Sequence, residues 1–182
     1  MHDVLEGVCC YELKLILCEL IYTKKYFDLN LLNDRIRSFN YSPIERGSKP
    51  VVINVSHLKS ADGTIKQSTS EMWCLMTNLS IMLGDKIPMG DPVWELLLSA
   101  LDIMNIVFSV AITEGATYCL QSIIEEHLQY FKEVFPPERL RSKHHYLVHY
   151  SRCIRLVGSL MRFWCMRFEA KHNFFMRLTH CL

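Results

Sequence analysis

The sequence predicts a mainly α-helical protein, a helical bundle with at most one or two short strands. Half of the 182 residues are hydrophobic, which is enough to bury a core. Apolar residues recur at helical spacing along most of the chain. Between residues 68 and 134, three long helical patterns follow one another with short connections, an arrangement typical of a bundle.

The first elements are two helices followed by a loop. Residues 4–22 have apolar positions at helical spacing, with polar residues such as Glu12 and Lys14 between them. Residues 28–39 repeat this pattern in a more polar form. Residues 40–66 contain two prolines and two glycines and are predicted to form a loop, in which the β-branched run at 51–55 is a candidate short strand.

The first of the three central helices has clear start and stop signals. Ser68 and Glu71 have the spacing of a capping box, in which each side chain binds the backbone of the other residue. Gly84 follows Leu83 and is a typical residue at the end of a helix. We therefore expect a helix that ends at Leu83.

The next two helices are also delimited by local signals. Asp91 precedes Pro92, as in an N-cap followed by a proline at the first helical position, and this helix should reach about Ala111. The third should begin near Thr113 and run to Val134, before two consecutive prolines.

The C-terminal quarter is basic. Residues 1–136 carry 11 Lys/Arg and 17 Asp/Glu, a net charge of −6, whereas residues 137–182 carry 9 and 2, a net charge of +7. A helical stretch is predicted up to about Val157, with a break at Gly158. Residues 160–178 are again helical in pattern and rich in aromatic side chains.

Eight cysteines lie among apolar residues, and we interpret them as reduced thiols in the core. The first residues are charged and do not have the pattern of a signal peptide. These features predict a nuclear or cytoplasmic, intracellular protein that is not secreted. The most apolar window, residues 92–113, is interrupted by Glu95 and Asp102, so it is predicted to be a buried helix and not a membrane span.

Several clusters resemble catalytic or metal-binding groups. Glu169 and His172 lie one helical turn apart, but such a pair beside Arg167 and Lys171 is more often part of a surface ion-pair network. The sequence contains no GxSxG motif and no glycine-rich phosphate loop, which disfavours conventional serine hydrolase and nucleotide-dependent chemistry.

The histidines near residue 145 do not complete a metal site in the sequence. His145 and His149 are four residues apart and share a helix face, but the carboxylate of the zinc protease motif is absent between them. Two histidines do not fill a zinc site.

Six strings in order along the chain resemble the transposases of CACTA-type (En/Spm-like) DNA transposons of animal genomes. These strings are MHDVLEGV (1–8), QSTSEMWCL (67–75), GDKIP (84–88), VWELLL (93–98), KHHYLVHY (143–150) and RFEAKH (167–172). The resemblance extends over essentially the whole chain. It implies a nuclear protein that acts on DNA.

The resemblance implies an RNase H-like catalytic domain in which three carboxylates (a DDE triad) hold two Mg²⁺ ions. In the family a histidine follows the second aspartate by three positions, and His2 matches it, so that aspartate would lie two residues before Met1. The first aspartate would lie further upstream. Glu169 matches the third acid and would be a Mg²⁺ ligand in an intact parent protein.

The same resemblance divides the chain, as a single partial domain, into three parts. Residues 1–27 would form the helix after the strand that carries the second aspartate, residues 28–135 a helical insertion, and residues 136–182 the basic helices that return to the catalytic core. Phosphate contacts with the transposon ends are expected from five basic residues in the last part. They are Arg139, Arg141, Lys143, Arg167 and Lys171.

The expected function is therefore that of a fragment or relic of a transposase, inactive as given, with Mg²⁺ required only in the intact parent and no cofactor for this chain alone. DNA is the expected partner, self-association is compatible with the sequence, and no membrane or small-molecule substrate is expected. One alternative is a domesticated, non-catalytic protein- or DNA-binding helical module. Another is an independent metal-dependent hydrolase that uses His2, Asp3, Glu169 and His172.

Overall fold

A computed structural model describes residues 2–60 and 64–163, and within these ranges the regular elements are all helical. Eight α-helices follow in order. They are α1 (Cys10–Cys18), α2 (Leu29–Ser38), α3 (Val55–Lys59), α4 (Thr69–Leu83), α5 (Pro92–Val107), α6 (Glu114–Val134), α7 (Ser142–Val148) and α8 (Tyr150–Val157). Shorter helical turns precede, follow or join them, and the predicted helical class is confirmed.

α1 is the middle of a longer helical path. It continues into π-helical turns on both sides, His2–Cys9 before it and Glu19–Thr23 after it. The flanking residues Cys9 and Glu19 have helical backbone angles, so the path is not interrupted. This confirms the helix predicted over residues 4–22. Its most deeply buried residues are Leu5, Leu13, Ile16, Leu17 and Leu20.

The candidate strand at residues 51–55 was wrong. The backbone at Val51 and Ile53 is bonded by side-chain amides: Gln67 accepts from the N–H of Val51 at 2.9 Å, and Asn33 accepts from the N–H of Ile53 at 2.8 Å. Both amides also donate to the carbonyl of the same residue. Because side chains satisfy the backbone that a neighbouring strand would have paired, the segment needs no sheet.

The central helices begin where their caps predict. The N–H of Ser68 donates to Glu71 at 2.7 Å and the N–H of Glu71 donates to the hydroxyl of Ser68 at 3.4 Å, which completes the capping box. Asp91 caps α5 by accepting from the N–H groups of Val93 and Trp94. α5 ends at Val107 and not near Ala111, because the backbone of Phe108 (φ −98°, ψ 12°) leaves the helical conformation.

α5 and α6 pack along each other, and α1 packs against α5. The core between these helices continues through buried residues of α2 and α4. α7 contacts the beginning of the chain and α8 lies against α6. The break predicted at Gly158 is confirmed, since its φ of +82° is a conformation that glycine adopts without strain. Of the helix predicted over residues 160–178, Leu160–Phe163 form a 3₁₀ turn and the remainder lies outside the described residues.

The prediction for the cysteines is partly wrong. Cys9, Cys10 and Cys74 are buried, as expected of core thiols, whereas Cys119 and Cys153 are exposed. The polar faces of α6 and α8 carry these two residues. In the described part of the chain, no helix combines the length and the apolar character that crossing a bilayer requires.

Candidate functional site

Among the described residues, a deeply buried polar cluster surrounds Glu12. This glutamate lies on the apolar stripe of the first helical path, at four-residue spacing from Val8, Ile16 and Leu20. Its exposed fraction is 1%. Burying a carboxylate costs free energy unless the carboxylate is paired, so Glu12 requires hydrogen-bonding partners from other helices.

Two histidines from distant parts of the chain supply these partners. Nε2 of His127, on α6, lies 3.1 Å from both carboxylate oxygens of Glu12. Nε2 of His144, on α7, lies 3.1 Å from Oε1 of the same carboxylate. Both histidines are buried to 1% exposure. A single side chain on α1 thus joins α6 and α7 inside the core.

The other nitrogen of His144 fixes its tautomer. The backbone N–H of Arg141 donates to Nδ1 of His144 at 3.0 Å. An accepting Nδ1 carries no proton, so neutral His144 is protonated at Nε2 and donates from there to Glu12. The same argument disfavours a metal at this place, since the Nε2 lone pair that would bind it is absent. Within the described ranges, no three His, Cys, Asp or Glu side chains are arranged to hold a metal ion.

His127 extends the cluster towards the surface. Its Nδ1 lies 3.1 Å from the hydroxyl oxygen of Ser99, on α5. When Nε2 donates to Glu12, Nδ1 presents its lone pair to this hydroxyl. Ser99, His127 and Glu12 therefore form a chain of hydrogen bonds from a hydroxyl, through an imidazole, to a buried carboxylate.

Ser99 and His127 line an open groove of about 420 Å³ between α5 and α6. Its other lining residues are Glu95, Glu126, Gln129, Tyr130 and Glu133. Burial raises the pKa of Tyr130, and the negative charges of Glu95, Asp91 and Glu133 raise it further. The groove is thus acidic, and the Tyr130 hydroxyl remains protonated at neutral pH.

The charge state of Glu12 follows from its partners. Burial raises the pKa of this carboxyl, but the interactions with His127 and His144 lower it by more, so the pKa lies below its ordinary value of 4.5. Glu12 is therefore ionised at neutral pH. A buried anion held by two imidazole N–H groups can stabilise a positive charge that forms on His127.

Within the described ranges, the catalytic and DNA-contact residues predicted from sequence contribute no side chain to the Glu12 cluster. His2 is exposed, and its Nδ1 lies 2.8 Å from Glu6. Arg139 is exposed, while the guanidinium of Arg141 lies 3.9 Å from the centre of the Tyr11 ring. Lys143 forms an ion pair with Asp3. Glu169, Arg167, Lys171 and His172 lie outside the described residues.

Sequence reasoning missed Ser99, Glu12 and His127 as a group. The available signal is the position of Glu12 at four-residue spacing from apolar residues, which places it on their face of the helix. Lys14, the other polar residue named in this helix, is also buried: its exposed fraction is 7% and its amine donates to the carbonyl of Ser60.

Comparisons with known proteins identified no relative. Neither the protein-family models, nor the curated proteins, nor the solved structures gave a match to this chain.

Proposed function

We propose that the chain is a helical part of a CACTA-type transposase, comprising the insertion and the C-terminal helices of an RNase H-like catalytic domain. In the intact parent this domain would cut DNA and transfer strands with Mg²⁺. The helices would support the catalytic core and carry basic residues to the DNA. The proposal rests on the six strings of sequence and on how three of them pack.

Three of these strings meet in space, and this observation carries the proposal. Gly7, from the first string, lies against Lys143, from the fifth, so closely that an added Cβ would be 2.8 Å from Cγ of the lysine. Asp3 and Lys143 form an ion pair between the same strings. Thr69, from the second string, donates to Glu6 of the first. Strings that resemble one family therefore depend on each other for packing.

The beginning of the chain and the basic segment are also joined by Tyr11. Its hydroxyl donates to Glu138 at 2.7 Å, and its ring lies under the guanidinium of Arg141. The basic segment is thus held beside the helix that, by the resemblance, would follow the strand of the second aspartate. Basic residues at that place would lie near the phosphates to be cut.

The reading frame upstream of the Met1 codon provides the most direct test. The proposal expects an open frame with aspartate two residues before Met1 and a further aspartate upstream. A stop codon or an unrelated sequence at these places would count against a functional parent and would favour a relic or a non-catalytic module.

Binding to duplex DNA tests the role of the basic segment. We expect binding that weakens as salt rises, and Arg139→Gln should make the slope of log affinity against log salt shallower by about 0.9, the value for one lost phosphate contact. Arg37→Gln is the matched control, since Arg37 is an exposed arginine on α2 that pairs with Asp34. Absence of DNA binding at low salt, or equal effects of both changes, would contradict the assignment of Arg139.

By the resemblance, two of the three Mg²⁺ ligands lie upstream of this chain, and we expect the chain alone not to cut DNA. Incubation of the purified protein with supercoiled plasmid and Mg²⁺ checks this. Nicking that Glu169→Gln abolishes would show that the chain assembles a metal site by itself.

A further inference from the structure

We propose that Ser99, His127 and Glu12 form an acyl-transfer site that hydrolyses esters carrying a positively charged group. This function is separate from the one proposed above and rests on other residues. It uses Ser99 as the nucleophile, His127 as the general base and Glu12 as the group that orients the base.

The geometry has the two contacts that link a nucleophile to its base and the base to an orienting group. The hydroxyl oxygen of Ser99 is 3.1 Å from Nδ1 of His127, and Nε2 of His127 is 3.1 Å from each oxygen of Glu12. A nucleophile within hydrogen-bond reach of a base, which is in turn oriented by a third group, defines activated serines on unrelated folds.

The role of each nitrogen follows from the hydrogen bonds around Glu12. His144 already donates to Oε1, with its tautomer fixed by the N–H of Arg141. Glu12, ionised and buried, then accepts from Nε2 of His127, which leaves the lone pair of Nδ1 towards Ser99. His144 is therefore a positioning residue that holds the carboxylate in place.

The site is reachable from solvent through the groove between α5 and α6. Ser99 is partly exposed and lines the groove between α5 and α6, whereas the side chain of His127 has no exposed surface. A substrate in the groove would meet the hydroxyl first, with the base behind it. The absence of a GxSxG motif does not conflict with this arrangement, because Ser99 lies inside a helix and such sites are recognised by geometry and not by sequence motif.

The class of substrate follows from the charge of the groove. Glu95, Glu126 and Glu133 line the groove. The negative charges of Glu95 and Glu133 contribute to the raised pKa of Tyr130. These carboxylates repel anionic substrates and attract a substrate that carries a positive charge of its own. An ester of an amine or a quaternary ammonium alcohol meets this condition.

The reaction balances with water as the second reactant. The oxygen of Ser99 attacks the carbonyl carbon, and its proton passes to Nδ1 of His127. The bond from the carbonyl carbon to the alcohol oxygen then breaks, and His127 returns the proton to the leaving alcohol. Water attacks the acyl-serine by the same route, releasing the carboxylic acid and restoring Ser99.

A serine-reactive organophosphorus fluoride tests the nucleophile directly. The probe forms a bond from the serine oxygen to phosphorus and releases fluoride, and peptide mass spectrometry locates the label. We expect Ser99 to react about a hundredfold faster than Ser122, an exposed serine on α6 that serves as a control in the same molecule. Equal reaction of both serines, or no label at Ser99 in folded protein, would overturn the proposal.

Variants separate a catalytic role from a structural hydrogen bond. Ser99→Ala should abolish labelling at position 99 and the hydrolysis of acetylcholine measured by acid release, while Ser122→Ala should change neither. His127→Gln should slow labelling of Ser99 by about a hundredfold. Circular dichroism confirms the fold of each variant. Should His127→Gln not fold, the wild-type comparison of Ser99 with Ser122 still decides the matter.

Removing negative charge from the groove tests whether the groove selects cationic substrates. Glu95→Gln combined with Glu126→Gln should reduce the preference for acetylcholine over the uncharged 4-nitrophenyl acetate by about tenfold. An unchanged preference would contradict the assignment of a cationic substrate. Hydrolysis of acetylcholine that persists in Ser99→Ala would contradict the whole site.

Discussion

Glu12 connects three helices through one side chain. Its carboxylate, on α1, binds His127 on α6 and His144 on α7, 115 and 132 positions away in the sequence. Removing one partner of a buried ionic group costs more than the group contributes when it is paired, because the remaining groups stay buried without their bonds. Substitution of Glu12 should therefore be among the most destabilising changes in the described core.

We expect Glu12→Gln to lower the free energy of unfolding by about 3 kcal/mol at pH 7, since one of the two histidine donors then faces an amide N–H₂. The folded-state pKa of Glu12 lies below 4.5, so its contribution is present above that pH and is lost as the pH falls below it. Stability should thus fall less steeply below pH 4.5 in the variant. Urea unfolding between pH 3 and 7 measures both effects, and parallel curves for the two proteins would contradict the prediction.

Gly7 is required by a close approach and not by its backbone angles. A Cβ there would be 2.8 Å from Cγ and 3.0 Å from Cβ of Lys143, atoms too near the backbone to move freely. We expect Gly7→Ala to destabilise the fold by about 1–2 kcal/mol, because the overlap outweighs the better helix propensity of alanine.

Gly115 is the matched control for Gly7. It lies near the start of α6, and a Cβ would meet no atom within 4 Å. Gly115→Ala should therefore be neutral or stabilising, by up to about 1 kcal/mol. Gly7→Ala should lower the thermal midpoint, whereas Gly115→Ala should leave it unchanged or raise it. A stabilising effect of Gly7→Ala would contradict the packing described.

At the scale of elements, helix caps differ in how many other parts of the chain each one binds. Asp28 caps α2 with a single bond to the N–H of Leu31 and is exposed. Asp91 caps α5 with two such bonds and also binds the side chains of Tyr26 and Lys24. Asp91 thereby anchors the residues that follow the first helical path onto the start of α5.

Alanine at these two caps should have unequal effects. Asp28→Ala should cost about 1 kcal/mol, the usual value for a lost cap. Asp91→Ala should cost about 3 kcal/mol, because its exposed fraction is 6% and its partners lose several bonds at once. Chemical unfolding of both variants measures the difference, and equal losses would show that the bonds to Tyr26 and Lys24 contribute little.

Helix positions could be predicted well, and the reason lies in these local signals. The capping box at Ser68, the Asp91-Pro92 pair and the glycine at 158 act over three or four residues, so sequence alone reveals them. The segment at 51–55 could not be predicted in this way. Its β-branched residues favour a strand, but the amides of Asn33 and Gln67, 20 and 16 residues away, bind its backbone instead.

At the scale of the whole molecule, burial should divide the cysteines into two classes. Burial raises the pKa of the Cys10 thiol to about 12 and that of Cys9 well above its ordinary 9.0. Both are enclosed in the core, whereas Cys119 and Cys153 are exposed. A thiol must be accessible and ionised to be alkylated.

We expect iodoacetamide at pH 8 to modify Cys119 and Cys153 within minutes and to leave Cys9 and Cys10 unmodified until urea unfolds the protein. Peptide mass spectrometry after timed quenching measures each site. Rapid modification of Cys9 in folded protein would show that the first helical path opens locally, which would contradict its place in the core.

The sequence by itself determined that this protein is built of helices and where most of them begin and end, because periodicity and caps are properties of neighbouring residues. Only the tertiary structure decided that Glu12 is enclosed by His127 and His144 and that Ser99 lies against His127. These contacts join residues more than 25 positions apart, and a buried charge selects its partners by proximity in the folded core, which no local pattern encodes.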